Sequence, residues 1–335
     1  MINVDIAIIG SGVAALRMYK DASEQGFSTL LIDIGPLGGS LSSIGALYKF
    51  PKIPILFDYD IRKLFDKCNF MCYSTKLYTI KTGSIIDKIK GFEKFEAQRL
   101  WIFELLNKKE LCFINDVISC IISTLKLSHE SIKKIEGNVR RIYVDSRTIM
   151  LSTGLVIKYK ELVYTWPLTM LGDLIVTKNK ELKLFLDKLV NELKYSSLFI
   201  RSYIVEERND NENVISLYIH ATKASRLHTI IKIPLAKNTH LFYAITSYSK
   251  NYPLLPGIGE KIDSELRKHK LFTNITKILE FNNINIVYGV LNKIDKELIN
   301  LIKNALLPYN IKLFGRVAEW IEYDIPTIIF KSRPG

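Results

Sequence analysis

Six residues near the start of the chain, Val4 to Ile9, are apolar except for Asp5, the pattern of a parallel strand covered on both faces. Gly10 ends that run. Ala14 to Gly26 then has helical character and closes on a glycine suited to a helix C-terminus, and Ser28 to Ile32 is a second buried strand with Asp33 at its end. These segments predict a strand, helix, strand unit. Farther along, residues 60 to 130 mix amphipathic stretches such as Phe92 to Asn107 with short apolar runs such as Val117 to Ile122, and predict a mostly helical segment. Ser197 to Val205 and Val214 to His220 alternate like strands around the polar run Glu206 to Asn213, which predicts a hairpin. Pro253 to Gly259 is a turn-rich break before a helix at Glu260 to Phe272. Phe92, Trp101, Phe103, Leu105 and Leu106 predict an apolar helix face that packs in a core.

The turn after the first strand, Gly10-Ser11-Gly12-Val13-Ala14-Ala15, carries the first candidate chemistry. In a dinucleotide-binding turn the first glycine permits the tight reversal, the second lets a pyrophosphate approach the backbone, and a third small residue lets helix and strand pack closely. Gly10, Gly12 and Ala15 fill those places. Asp33 lies 21 residues after Gly12 at the end of the second strand, where a carboxylate accepts hydrogen bonds from ribose hydroxyls, while the helix N-terminus offers unpaired amides to phosphate. This segment alone leaves NAD and FAD equally open.

Three further segments narrow the choice. Gly38-Gly39-Ser40 follows Asp33 and resembles the GG motif of flavoproteins with two dinucleotide-binding domains, whose glycines let the backbone pass close to phosphate. Gly137-Asn138-Val139, Thr148 to Leu155 and Tyr159 to Leu168, with Thr165-Trp166-Pro167-Leu168 at its end, are similar to the valine strand, meander and returning strand of the amine oxidase, protoporphyrinogen oxidase and UDP-galactopyranose mutase branch. Gly315-Arg316-Val-Ala-Glu319-Trp320-Ile-Glu-Tyr323-Asp324-Ile325-Pro326 is similar to the closing Gly-Arg motif of the mutase-like members, with Ile325 where methionine is usual. Ser40 departs from the Arg, Asn or Gln common there. The stretch from Asp33 to Pro54 also resembles thioredoxin reductase, whose CxxC pair and second nucleotide turn the chain lacks.

The resemblance implies an α/β fold: a discontinuous, Rossmann-like FAD-binding domain with a smaller α+β substrate domain. It places the FAD-binding domain at 1–60, 131–175 and 280–335, a helical insertion at 61–130 and a substrate or cap domain at 176–279. It implies FAD as the cofactor, held by Gly10, Ser11, Gly12, Val13, Ala14, Ala15, Asp33, Gly38, Gly39, Ser40, Val139, Thr165, Gly315, Arg316, Asp324 and Ile325. Arg226, in a segment similar to a substrate-domain strand, and Trp166 are candidates to face the flavin or a substrate. Pro326 suits the first turn of a helix whose N-terminus favours negative charge.

Composition changes this picture little. The 335 residues are 48% apolar and 24% charged, enough for one large core or two moderate ones. The net charge of +13 comes from scattered lysines without a basic block or a nucleic-acid module, so a small-molecule substrate is expected and an anionic one suits the field. No apolar run reaches the roughly 18 residues of a membrane span, and no signal peptide precedes the first strand, which predicts a cytoplasmic protein. Cys68, Cys72, Cys112 and Cys120 match no redox or zinc spacing and are expected as reduced thiols. The five histidines match no metal-ligand spacing, and no metal is expected.

Three activities remain open on the sequence. One is an oxidoreductase passing hydride from a small substrate to flavin N5. The second is a non-redox mutase acting on a nucleotide sugar, and the third a non-catalytic FAD-binding scaffold. No residue stands out as a catalytic base.

Overall fold

The computed structural model describes residues 1–65, 67–81, 84–86, 105, 108–208, 213–220 and 227–330. The chain divides into two units built from separated segments. One comprises Met1–Ser42, Val117–Lys194 and Leu291–Gly335, and the other Ser43–Asp116 and Tyr195–Val290.

The first unit grows outward from the strand Ile2–Ile9. That strand pairs in parallel with Thr29–Asp33 on one edge and with Val156–Tyr164 on the other. Lys134–Glu136 joins in parallel outside Thr29–Asp33, and Ile311–Leu313 joins in parallel beside the last residues of Val156–Tyr164. An antiparallel meander, Val139–Tyr143 with Thr148–Leu151, attaches to the first residues of the same strand. Ile6 to Ile9 and Leu31 to Ile32 are buried, which explains why these strands read as continuous apolar runs rather than alternating ones. Asp5, the exception, accepts hydrogen bonds from the Ser28 amide and hydroxyl and pairs with Lys160 at 2.7 Å. Lys160 and then Ser28 hold its carboxyl well below the usual carboxylate range. Asp5 thus ties its own strand to the start of Thr29–Asp33 and to the middle of Val156–Tyr164.

The helix Val13–Glu24 covers this sheet with Val13, Ala15, Leu16, Met18, Tyr19 and Ala22, at the three-to-four residue spacing of an apolar stripe. Gln25 ends it and Gly26 follows with φ of 78°, the left-handed reversal a glycine accepts without a Cβ penalty. The Tyr19 hydroxyl donates to the Ser131 carbonyl at 2.7 Å and accepts from the Lys133 amide at 2.9 Å, fixing the approach to the strand Lys134–Glu136.

The second unit is a large sheet. Its order is Ile275–Leu291, Tyr195–Glu207, Thr239–Tyr248, Leu227–Ala236, Val214–His220, Met71–Lys81, Glu110–Phe113 and Leu56–Asp58. Side chains alternate across it. Leu198, Ile200 and Ile204 enter one apolar cluster, and Phe199, Tyr203 and Val205 enter another that includes Ile258, Ile262 and Leu266 of the helix Ile258–Lys268.

The interval 61–130, read as a helical insertion, holds the strands Met71–Lys81, Ser84–Ile86 and Glu110–Phe113; its helix Val117–Thr124 belongs to the first unit. Residues 43–60, expected in the FAD-binding domain, fall in the second unit. Tyr195–Glu207 and Val214–His220 form no hairpin, because Thr239–Tyr248 and Leu227–Ala236 lie between them. Alternation specifies which face a strand buries but not which strand it pairs with. The cysteines are not reduced: Cys72 and Cys112 sit opposite each other on paired strands and form a disulfide, and none of the four described cysteines is free. Of the predicted apolar helix face, Phe92, Trp101, Phe103 and Leu106 lie outside the described residues, while Leu105 packs partly buried against the first of these clusters.

Candidate functional site

The glycine turn lies where the first strand hands over to the helix Val13–Glu24. Gly10 donates to the Ile32 carbonyl at 2.9 Å, and its φ of 119° suits only glycine. A Cβ on Gly10 would stand 2.1 Å from Thr165 Oγ1 and 3.3 Å from Trp166 Cδ1. Thr165 closes on the turn from the neighbouring strand: its amide and its hydroxyl both donate to the Ile9 carbonyl, at 3.0 and 2.7 Å. Gly10 is therefore a packing glycine.

Gly12 differs. It occupies the N-cap position with ordinary extended dihedrals, and a Cβ built on it would meet no protein atom within 4 Å. Having no side chain, it leaves the first turn of the helix without a side-chain cap, and no acidic residue sits there. The amides of Val13, Ala14 and Ala15 thus begin a twelve-residue helix with the partial positive charge that attracts phosphate.

Two distant segments close around this turn. Gly38 donates to the Ser11 carbonyl at 2.7 Å, and Gly38 and Gly39 have φ of 96° and 56°. A Cβ on Gly39 would come within 3.6 Å of Gly12 Cα, so the two glycine segments face each other. Ser40, in the following tight turn, is exposed. Gly315, with φ of 98°, approaches from the C-terminal segment, where a Cβ would stand 2.5 Å from Ala14 Cβ. Three segments that resemble flavoprotein motifs therefore converge on one helix N-terminus.

Asp33 is anchored rather than loose. Ser11 Oγ is fully buried, 2.7 Å from Asp33 Oδ2 and 3.0 Å from the Pro36 carbonyl. The carboxylate still carries acceptor positions beyond that one. Val139, buried, begins the strand Val139–Tyr143, and the Gly137 amide just before it donates to the Asp33 carbonyl at 3.3 Å. The predicted residues Gly10 to Ala15, Gly38, Gly39, Thr165 and Gly315 thus meet at the turn after the first strand, with Asp33 tied to it through Ser11, and Trp166 stands half-buried beside it.

Arg316 and Asp324 are committed differently from the expectation. Arg316 pairs with Glu322, with Nη2 2.8 Å from Oε1, and that oxygen also accepts from the Leu291 amide. Asp324 is exposed, and its Oδ1 accepts from the Thr327 amide at 2.7 Å, capping the short helix Ile325–Phe330. That helix contains Pro326 in its first turn and packs against Val13–Glu24. Arg226 lies outside the described residues.

Glu319 has no place among the predicted site residues. It is buried, accepts from the Gly315 amide at 3.0 Å through Oε2 and pairs with Lys303 at 2.8 Å through Oε1, so it fixes the strained Gly315 turn from beneath. Its position four residues after Gly315 is the signal that was available. In the second unit, His220, Glu265 and His269 bring their ligand atoms within 4.8 Å of one another, a cluster that sequence spacing did not reveal.

No family model matches the chain, and no curated protein matches it in sequence. Solved structures do. A reduced UDP-galactopyranose mutase is similar over 95% of this chain and 90% of its own, with a TM-score of 0.71 and 13% identity. A putrescine oxidase bound to putrescine is similar over 84% of each chain, with a TM-score of 0.60 and 10% identity. An oxidoreductase from Methanosarcina mazei covers 85% of this chain and 88% of its own, with a TM-score of 0.58 and 10% identity. At such identities it is the fold that is shared, and the chain has the α/β fold of these proteins, with a mainly parallel sheet in its first unit.

Proposed function

We propose that this chain is a FAD-binding flavoprotein and that it works as an oxidoreductase, taking hydride from a small substrate. The observation that carries the reading is the convergence of Gly12, Gly39 and Gly315 on an uncapped helix N-terminus, with space over Gly12 that no protein atom fills. A pyrophosphate fits that cradle, because amides and a helix dipole meet it and no Cβ intervenes.

On this reading the amides of Gly12 to Ala15 hold the pyrophosphate, and Asp33 accepts from the adenosine ribose while Ser11 keeps its carboxylate oriented. The Gly38-Gly39 turn forms the opposite wall, and the backbone at Val139 borders the adenine. Thr165, Gly315 and the start of the helix Ile325–Phe330 present backbone groups to the flavin, with Glu319 holding Gly315 in its turn. Bound FAD would supply a two-electron acceptor; the protein's share is orientation, electrostatics and exclusion of water. Arg226 and Trp166 are the residues proposed to meet the substrate. The basic surface favours an anionic one.

A second reading, a flavin-dependent mutase acting on a nucleotide sugar, is favoured by the breadth of the likeness to the mutase, 95% of this chain against 84% for the putrescine oxidase. Anaerobic mixing with candidate substrates separates the two. Bleaching of the flavin colour by an amine or other reductant substrate supports the oxidoreductase. Interconversion of a UDP-sugar only after dithionite reduction, with no bleaching by any reductant substrate, replaces it with the mutase.

A further inference from the structure

The strand Val214–His220 alternates between two apolar clusters, Ile215 and Leu217 packing on one face and Tyr218 on the other. His220 therefore shares the face of Tyr218, the same face on which the helix Ile258–Lys268 lies. That helix supplies Glu265, and His269 follows as its C-terminal cap, one turn later. The His269 amide donates to the Glu265 carbonyl at 3.0 Å, so the two side chains leave the helix end on one side.

Both imidazoles are buried, and their Nε2 atoms face each other at 3.1 Å. Glu265 Oε2 lies 3.9 Å from His220 Nε2, on a side chain that keeps 27% of its surface exposed. A proton shared between two ring nitrogens is the least that this arrangement needs. A divalent ion fits it better, since two nitrogens each about 2.0–2.1 Å from Zn²⁺ in a tetrahedral site stand a little over 3 Å apart. The nitrogens are already at that separation, and the partly exposed carboxylate has only a short distance to close. Two imidazoles and one carboxylate form a donor set of intermediate softness, suited to Zn²⁺ or Co²⁺ rather than to Ca²⁺ or Mg²⁺. A water reaching the ion past the partly exposed Glu265 would complete the four ligands.

We propose that His220, Glu265 and His269 bind one divalent transition-metal ion, Zn²⁺ or an ion of similar preference, which pins the end of the strand Val214–His220 to the end of the helix Ile258–Lys268. The site lies in the second unit and uses none of the residues assigned to the nucleotide turn.

The test uses the full-length protein, stripped with a chelator, dialysed, and titrated with Co²⁺ by visible absorption and with Zn²⁺ by calorimetry. Expected are one ion per chain, a tetrahedral Co²⁺ spectrum displaced by Zn²⁺, and a rise in melting temperature on metal addition. Glu265→Gln, at a partly exposed position, and His220→Ala should each weaken binding at least about tenfold, whereas His129→Gln, an exposed histidine outside the cluster, should not. Should His220→Ala fail to fold by circular dichroism, Glu265→Gln carries the test alone. Absence of stoichiometric uptake by the stripped protein, or undiminished binding by folded Glu265→Gln, would overturn the proposal.

Discussion

Adding one methyl group at Gly10 or at Gly12 should produce opposite kinds of damage, although the two glycines are separated by a single residue. At Gly10 the new Cβ would stand 2.1 Å from Thr165 Oγ1, more than about 1 Å inside contact. Thr165 cannot simply rotate away, because its hydroxyl and amide both hold the Ile9 carbonyl. Placing alanine at a φ of 119° adds backbone strain of about 1–3 kcal/mol, and overpacking adds about 1–3 more. With about 1 kcal/mol for the disturbed Thr165 hydrogen bond, Gly10→Ala should destabilise the protein by roughly 3–7 kcal/mol. At Gly12 the Cβ meets nothing within 4 Å and φ is −74°, so the only cost is that of a poorer N-cap, about 1 kcal/mol or less. The space it enters is the one assigned to pyrophosphate. Loss of one or two charge-assisted amide contacts, about 1.5–3 kcal/mol each, corresponds to FAD binding weaker by roughly 10-fold to 20,000-fold. Thermal unfolding without ligand and FAD titration by fluorescence quenching measure the two effects separately. FAD affinity in Gly12→Ala equal to that of the unaltered protein, or a ligand-free melting point as low as that of Gly10→Ala, would refute the reasoning.

Other expectations follow from the same geometry. Gly315→Val should reduce both stability and FAD retention, since its Cβ would press on Ala14 at 2.5 Å, and equilibrium unfolding with flavin content reads both. Glu319→Leu, which strands the Gly315 amide and Lys303, should cost about 3–5 kcal/mol in urea unfolding, while an unchanged midpoint would remove Glu319 from this role. Reducing the Cys72–Cys112 disulfide, whose cysteines are 40 residues apart, should lower stability by about 2–4 kcal/mol; thiol titration of the unreduced, unfolded protein should find neither cysteine free. Burial holds the His269 imidazole below its ordinary value of 6.5, with Glu265 opposing and Lys268 reinforcing the shift. The unfolded chain then binds more protons than the native one below that pH. Stability of the metal-stripped protein should therefore be fully present above about pH 6.5 and fall as the pH drops toward the native value, and His269→Gln should flatten that slope in pH-dependent denaturation.

The first unit was legible because its constraints are local and carried by residue type. Gly10, Gly38 and Gly315 hold φ values that other residues rarely adopt, and the doubly covered strands at Ile6 to Ile9 and Leu31 to Ile32 leave unbroken apolar runs. The second unit was not legible, because its information is non-local. Whether Tyr195–Glu207 pairs with the strand following it or with Thr239–Tyr248 depends on sheet order, which alternation does not encode. The pairing of Cys72 with Cys112 depends on register between Met71–Lys81 and Glu110–Phe113, and spacing rules for adjacent cysteines cannot see it. His220 meets Glu265 and His269 only after a strand and a helix stack. The four-residue spacing of Glu265 and His269 on a predicted helix was the one visible part of that cluster. Arg316 and Asp324 show a further limit: a motif identifies the segment that reaches the site, while neighbours such as Glu322 and the Thr327 amide decide where its side chains go.

The central claim, that the glycine turn at Gly10 to Ala15 forms a FAD site with Gly38-Gly39 and Gly315, is tested most directly by measuring flavin in the full-length protein. The account predicts a yellow protein, or a colourless one that takes up one FAD per chain, with the flavin absorbance lost in Gly12→Val while the circular dichroism spectrum stays unchanged. A folded protein that binds no FAD, or a Gly12→Val variant that retains it in full, would contradict the account.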